Sequence, residues 1–529
     1  MSARFFRKWE RAEAHFSGGR LDAAQVVCES LLSDFPDYNA AHWMLSRISQ
    51  ARTRFRSANH HARLAAINME QLPFQQQLAV SRSLISVGEY EAATSFLRAT
   101  PPNIAIDQTL LSEAIEQLSM LDDHECASVW LEFAEKNNIR SAQLSSLRGK
   151  NLKFSGDIEE AALAFEEAIL FDPGDVHIHH LVASLSMTAG AGVRVDRLRN
   201  LVTSLRHHLP TTPSREGRMS DLAILYYALF KEFNLLGDTE SAWGALAQAM
   251  HYKRSLTGHD RVAEDSMFDR LIETYDKHFL SGCRERVDGN IPVFIMGMPR
   301  TGTTLIERVL GNHPQLTACG ELSELRMRYK WASDYYCSGF LDHEAAARMA
   351  DIDVSAFGKE YLERTDWRTN GRRLFTDKHP GNFLLSGLVL KALPQAKIIH
   401  VRRNSMDTCF SNLKELFAPH YYEYSYDIGD VANHYRNYAR LMNHISKAMP
   451  DRILEVQYEE FVADPGTHTA RILRFIGLPL QEGITDIARN KLPVSTASSV
   501  QVRKPIHTKQ IDAWKLYQKY LGPLQDQLS

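Results

Sequence analysis

A short pattern recurs through the first half of the chain and limits what that half can fold into. GRLDAA begins at Gly19, GEYEAA at Gly88 and GDIEEA at Gly156, each with a glycine, an apolar residue, an acid and an alanine in fixed order. Gly88 and Gly156 stand 68 residues apart, and the midpoint falls on Asp122 of DDHECA. A degenerate copy, RFRSAN, lies near Arg54, and GDTESA repeats the pattern at Gly237. Ala24, Ala93, Ala127 and Ala161 each follow the register position by five residues, as Ala242 follows Gly237. Small residues there let one helix approach the next closely. Pro36 and Pro173 fall 17 residues after their glycines, where the second helix of a pair should stop. A period of about 34 residues is that of stacked helical hairpins, so this half is expected to be an all-α array.

The pattern resembles tetratricopeptide repeats over roughly residues 5–195, with looser helical hairpins to about 280. The resemblance implies a helical solenoid whose concave face binds a peptide or a protein partner. His177, His179 and His180 fall on one expected helix, but metal binding would need ligands that the neighbouring sequence does not supply, so they read as a packed or solvated face.

The chain has 529 residues, 44% of them hydrophobic, enough for about three domain-sized units of ~150 residues each. Lys and Arg number 61 against 64 Asp and Glu, for a net charge of −3, which is not the footprint of a nucleic-acid binder. Residues 291–529 carry 30 basic and 26 acidic side chains and the remainder 31 and 38, so an acidic half precedes a mildly basic one. Cys28, Cys126, Cys283, Cys319, Cys337 and Cys409 are widely spaced with no C-x-x-C pair, which indicates neither a disulfide framework nor a zinc site. No stretch approaches the ~20 apolar residues of a membrane-spanning helix, and the N-terminus lacks a signal-peptide core, so a cytoplasmic location is expected.

Near residue 290 the helical pattern gives way to IPVFIMG, a short apolar run bounded by turn residues that reads as a buried strand. Further strands are predicted at 373–377, 397–402 and 453–457, with helical stretches such as Asn382–Ala392 between them. Alternation of this kind predicts an α/β domain with a mainly parallel sheet over 290–529, after a helical array over 1–285.

Directly after the first strand comes GMPRTGTTLIERVL, a glycine-rich loop entering an amphipathic helix. Backbone N–H groups of such a loop and the dipole of the helix together hold a phosphate. The spacing Gly297-x₄-Gly302-Thr303-Thr304 is that of a P-loop, but Thr303 stands where G-x₄-G-K-[ST] has its lysine. The strand KIIHV runs into Arg402-Arg403 rather than into an acid that could hold magnesium. Both departures argue against a P-loop kinase. The loop's cation, Arg300, comes earlier, where it could contact a terminal group transferred from a nucleotide without a γ-phosphate.

With the second segment Arg403-Asn404-Ser405-Met406-Asp407-Thr408-Cys409-Phe410-Ser411, the loop PRTGTTL resembles the two signature motifs of the sulfotransferases that use 3′-phosphoadenosine 5′-phosphosulfate (PAPS) and release 3′-phosphoadenosine 5′-phosphate (PAP). The resemblance covers roughly residues 291–525 and implies a P-loop-like α/β sulfotransferase domain that needs no metal. It implies that Arg300, Thr301, Gly302, Thr303 and Thr304 hold the 5′-phosphosulfate, that Arg403 and Ser411 bind the 3′-phosphate, and that Lys378 contacts the sulfuryl group. VQYEEFVADP is similar to the stretch in which tyrosylprotein sulfotransferases stack a ring on adenine, which points to Tyr458. STASSVQVRKPIHTKQ resembles their closing cofactor loop, making Ser498, Arg503 and Lys504 candidates for phosphate or sulfate contacts. Cys319-Gly320-Glu321 resembles the place of their catalytic acid. The match departs in having one acid rather than two in succession, so Glu321 is the expected base and Glu324 the alternate. His313 and His379 adjoin prolines in turns and are read as structural.

A repeat array before a sulfotransferase domain resembles the bacterial two-module sulfotransferases. The layout implies transfer to a hydroxyl, such as a peptide or protein tyrosine, or to an amine, with the array recruiting acceptor or partner. The alternative is an interaction scaffold carrying an inactive sulfotransferase-like domain.

Overall fold

The computed structural model describes residues 3–103, 106–207, 214–281, 287–496 and 498–529. Cys283 and the expected end of the array at 285 lie outside them. Up to residue 281 every described element is helical. The repeat register is visible in the backbone: Gly19, Thr53, Gly88, Asp122 and Gly156 all have positive φ, between +57° and +104°. In each case a helix begins two residues later, at Leu21, Phe55, Tyr90, His124 and Ile158. The left-handed conformation reverses the chain between the two helices of a hairpin, and it explains the recurrence of glycine, which takes it without strain. Ala24, Ala58, Ala93, Ala127, Ala161 and Ala242 are all fully buried, as close helix packing requires. Helices Leu21–Asp34 and Ile158–Phe171 end two residues before Pro36 and Pro173. The N-terminal region is a tetratricopeptide-like helical array.

The chain divides into two compact units, Met1–Leu147 with Ser323–Ser338, and Arg148–Leu322 with Gly339–Ser529. The first is helical. In the second, five parallel strands form one sheet: β1 (Ile291–Met296), β2 (Leu316–Ala318), β3 (Leu374–Asp377), β4 (Lys397–Arg402) and β5 (Ile453–Gln457), in the order β2-β3-β1-β4-β5. Register pairs Val293 with Thr376 on one side of β1 and with Lys397 on the other. Sequence reasoning identified four of these strands; β2, three residues long, carries too little pattern to be read. Val293, Ile295, Ile399, Val401 and Val456 build a core against the helices that follow β1 and β5. Central parallel strands buried on both faces account for the near-continuous apolar runs IPVFIM and KIIHV.

The helical residues of this second unit are packed into the same body. Tyr227, on helix Arg215–Leu236, donates to the Leu413 carbonyl at 3.2 Å. Tyr275 donates to that of Leu384 at 2.9 Å. No described helix is long and apolar enough to cross a membrane.

Candidate functional site

All five strands are parallel, so the loops leaving β1, β3, β4 and β5 emerge at one edge, where α/β sheets place their ligands. The loop after β1, residues 297–302, is pressed onto β4. A side chain on Gly297 would collide with the Val401 carbonyl oxygen. Thr301, 1% exposed, donates its hydroxyl to the Met298 carbonyl at 2.9 Å and closes the turn. Arg300 takes φ +71°, left-handed in a residue that pays for it, and Gly302 takes φ +104° before the helix Thr303–Leu310 begins. Thr303 and Thr304, both buried, open that helix. The second motif clasps the loop from β4. Asn412, on helix Ser405–Leu413, donates to the Pro299 carbonyl at 2.9 Å, and Arg403 donates to that of Arg300 at 3.2 Å.

Two guanidinium groups meet here. Arg300 donates to Ser498 Oγ at 2.6 Å and to Gln501 Oε1 at 2.8 Å. Arg403 lies 4.8 Å above the ring of Tyr458, donates to the Gln510 carbonyl, and faces Asp407 at 3.7 Å. Asp407 in turn accepts from the backbone N–H groups of Asp512 and Trp514 at 2.7 and 3.2 Å. The C-terminal segment 498–514 is thus tied to both motifs. Burial lowers the pKa of Arg300, with nearby Arg403 adding to the effect and Glu415 opposing it. Nε of Arg300 and Nε of Arg403 are both buried without a hydrogen-bond partner. Desolvated cationic donors left unpaired at a glycine-rich loop suit an anion.

The remaining predicted residues divide. Ser411 is buried, near the end of its helix. Tyr458 is buried against the loop itself, because a Cβ on Gly302 would lie 2.5 Å from its ring. Arg503 is engaged elsewhere: it donates to the Phe154 carbonyl and packs on Gly156, where a Cβ would lie 2.6 Å from its side chain. Lys504 is exposed.

A second group forms where β3 ends. Lys378, 1% exposed, places Nζ 2.7 Å from Glu321 Oε1 and 4.0 Å from Glu307 Oε2. Glu307 Oε1 accepts from Thr376 Oγ1 at 2.7 Å and from the Gly320 N–H at 3.0 Å. The Lys378 N–H donates to the Gly320 carbonyl at 2.9 Å, so the Cys319-Gly320-Glu321 turn is held from both sides. Burial raises the pKa of Glu307, partly offset by Lys378, Thr376 and Gly320. Sequence reasoning missed Glu307; the available signal was an acid within the mostly apolar run TTLIERVL. Glu324 is also buried, on helix Glu324–Ser333 of the first unit. His379 and His313 accept from the N–H groups of Gly381 and Gln315 at 3.1 and 3.2 Å in their turns.

Comparison with known proteins decides the class of this arrangement, because residues 292–482 match the model of the sulfotransferase family. The second unit carries a sulfotransferase-family domain. The chain is 28% identical over 307 residues to an uncharacterized protein of Aquifex aeolicus, covering 56% of this chain and 40% of that one. It is 25% identical over 242 residues to the protein-tyrosine sulfotransferase of Drosophila melanogaster, covering 42% and 46%. The chain therefore spans less than half the length of these two relatives. Among solved structures, the sulfotransferase domain of the Synechococcus olefin synthase aligns at 22% identity and TM-score 0.34, over 44% of this chain and 90% of that one. The P58(IPK) TPR domain aligns at 13% identity and TM-score 0.19, over 74% and 97%.

Proposed function

We propose that the sulfotransferase domain moves a sulfuryl group from PAPS to a hydroxyl or amine acceptor. The observation that carries this is the pair of half-buried arginines, Arg300 and Arg403, each with a buried and unpaired Nε, at a loop that has Thr303 in place of a P-loop lysine. Loop N–H groups and the hydroxyls of Thr303 and Thr304 hold the 5′-phosphate, and Arg403 and Ser411 hold the 3′-phosphate. Arg300 stabilises charge on the bridging oxygen as its bond to sulfur breaks, and Lys378 stabilises the sulfuryl oxygens. The acceptor oxygen or nitrogen forms the new bond to sulfur, and its proton passes to Glu321. Lys378 already sits against Glu321 at 2.7 Å, so one ammonium can orient the base and face the sulfuryl group.

A tyrosine acceptor is supported by the similarity to the Drosophila enzyme, and recruitment of a peptide or protein by the helical array is supported by the repeats. We assign the array to residues 1–285 and the transferase domain to 290–529. Two measurements test the reading. PAP should raise the melting temperature more than ATP with magnesium does, and the reverse order refutes it. Glu321→Gln should abolish transfer from labelled PAPS; full transfer by Glu321→Gln with loss in Glu324→Gln would move the base to Glu324.

A further inference from the structure

The Cys319-Gly320-Glu321 turn leads straight into a helix that belongs to the other compact unit. Leu322 ends the first stretch of the second unit, and Ser323–Ser338 are part of the first. The link has no slack. Ser323 is the N-cap of helix Glu324–Ser333, and its carbonyl already accepts from the Met327 N–H at 3.0 Å. From Glu321 to Ser323 the chain spans at most about 7 Å, so a shift of the helix reaches Glu321 instead of being taken up by a loop.

What holds the helix therefore bears on the acid. Inside the first unit the helix and the residues just after it are held at two successive turns of the repeat, those of Thr53 and Gly88. Gly88 and Met327 are both buried, and a Cβ on Gly88 would lie 2.7 Å from Met327 Cβ. That atom is the root of the Met327 side chain and has no rotamer to retreat to, so the helix itself would have to give way. At the other turn two helices cap each other. Helix Phe55–Ala65 has Arg54 at its N-cap, which supplies no side-chain cap, and the Arg56 N–H donates to Asp334 Oδ1 at 2.7 Å. In return the Arg56 guanidinium donates to the carbonyls of Trp331 and Ala332, at 2.9 and 2.8 Å, in the last turn of helix Glu324–Ser333. Free donors at the start of one helix and free acceptors at the end of the other are thus satisfied together. Just beyond, the Tyr336 N–H donates to the Thr53 carbonyl at 3.0 Å, and the Tyr336 ring stacks on buried Phe55 at 5.9 Å.

We propose that Gly88 and Arg56 are positioning residues for the Glu321 turn, acting through helix Glu324–Ser333 from its two ends. Within the second unit the turn is fixed at Gly320, by Glu307 Oε1 and by the Lys378 N–H, and Lys378 reaches Glu321 through its side chain. The backbone of Glu321 takes its direction on the other side from Leu322 and the helix. The repeat array then bears on the transfer step itself, in addition to any partner it recruits. That the positioned acid takes the acceptor's proton rests on the function proposed above.

Gly88→Ala in the full chain tests this, with Gly19→Ala as its control. Both glycines stand in left-handed repeat turns, at φ +80° and +70°, but a Cβ on Gly19 would meet nothing within 4 Å. Hydrogen exchange at the Leu322 amide, which donates to the Gly320 carbonyl at 3.2 Å, reports the turn, while turnover from labelled PAPS and calorimetric PAP affinity report the reaction. In Gly88→Ala, Leu322 exchange should accelerate about tenfold and turnover fall about tenfold or more, because a misplacement of about 1 Å can cost ~10²-fold. PAP affinity should stay within about twofold of wild type, and Gly19→Ala should match wild type in exchange and turnover. Unchanged Leu322 exchange in Gly88→Ala overturns the proposal, as does equal acceleration in Gly19→Ala, which would reduce the effect to a loosened array. A loss of PAP affinity matching that of turnover overturns it too. Faster exchange with full turnover supports the hold on the turn and refutes Glu321 as the base. If Gly88→Ala does not fold by circular dichroism, Arg56→Ala, at an exposed position, is measured in its place with the same outcomes.

Discussion

The buried acid Glu307 gives the sharpest test of how the Cys319-Gly320-Glu321 turn is held. One oxygen, Oε1, takes two hydrogen bonds, from Thr376 Oγ1 at 2.7 Å and from the Gly320 N–H at 3.0 Å, while Oε2 lies 4.0 Å from Lys378 Nζ. Glu307→Ala removes both bonds. Each is worth about 0.5–1.5 kcal/mol net, and donors left buried without partners cost about 1–3 kcal/mol. Thr376 is fully buried, so its hydroxyl carries most of that penalty, whereas Gly320 is half-exposed and can recover water. A local loss of about 2–4 kcal/mol follows, with only about 1 kcal/mol at Gly320 itself. Glu307→Gln keeps an acceptor oxygen in the same place and should recover most of it. Because the chain has two compact units, a single melting transition would not report this cleanly, and the Gly320 amide would. Hydrogen exchange at Gly320 should accelerate by about fivefold in Glu307→Ala, the factor for 1 kcal/mol, and remain near wild type in Glu307→Gln. The sign with pH is also fixed. Burial raises the folded pKa of Glu307, so its ionisation removes stability as pH rises from the usual carboxylate range through the folded value, and Glu307→Gln loses that dependence. Unchanged Gly320 exchange in Glu307→Ala, or equal acceleration in both variants, would refute this account of the turn.

Gly302→Ala should weaken PAP binding by about fivefold or more in a calorimetric titration, because the new methyl would lie 2.5 Å from the Tyr458 ring at φ +104° and overpacking costs about 1–3 kcal/mol. Gly156→Ala, 2.6 Å from the Arg503 side chain, should release the segment around Arg503 and speed its cleavage in limited proteolysis, while unaltered cleavage would show that Arg503 is not held there. Arg300→Lys keeps the charge but cannot reach Ser498 and Gln501 together, and turnover from labelled PAPS should fall about 10²-fold or more, as when a preorganised donor is lost.

Several features of this fold were legible because they are local. The left-handed turn favours a residue without a Cβ, met at Gly19, Gly88 and Gly156 though not at Thr53 and Asp122, and the buried alanine five positions on needs a small one, so both recur in the sequence. Strands β1 and β4 are apolar on both faces and stand out as runs. What could not be read depends on distant partners. Glu307 lies within a mostly apolar helix and looks like its polar stripe until Thr376 and Gly320 are brought to it. Arg503 stands in a basic loop and reads as an anion ligand, yet its partner is the Phe154 carbonyl, 349 positions away.

The same distinction explains why a threonine can stand where a P-loop has its lysine. A P-loop lysine brings its own charge to the phosphates from within the loop. Here the cations beside the loop are Arg300, held in a left-handed conformation that would be unfavourable alone, and Arg403, just past the neighbouring strand end. Both depend on the segment 498–514: Ser498 and Gln501 orient Arg300, Gln510 receives Arg403, and Asp407 anchors the backbone at Asp512 and Trp514. That segment is itself fastened to the helical residues, since the Arg503 guanidinium donates to the Phe154 carbonyl, as does the N–H of Val494, four residues before the segment. The surroundings of the glycine-rich loop are thus assembled from parts some 350 residues apart in sequence, and the last helical turn before Gly156 helps to hold them.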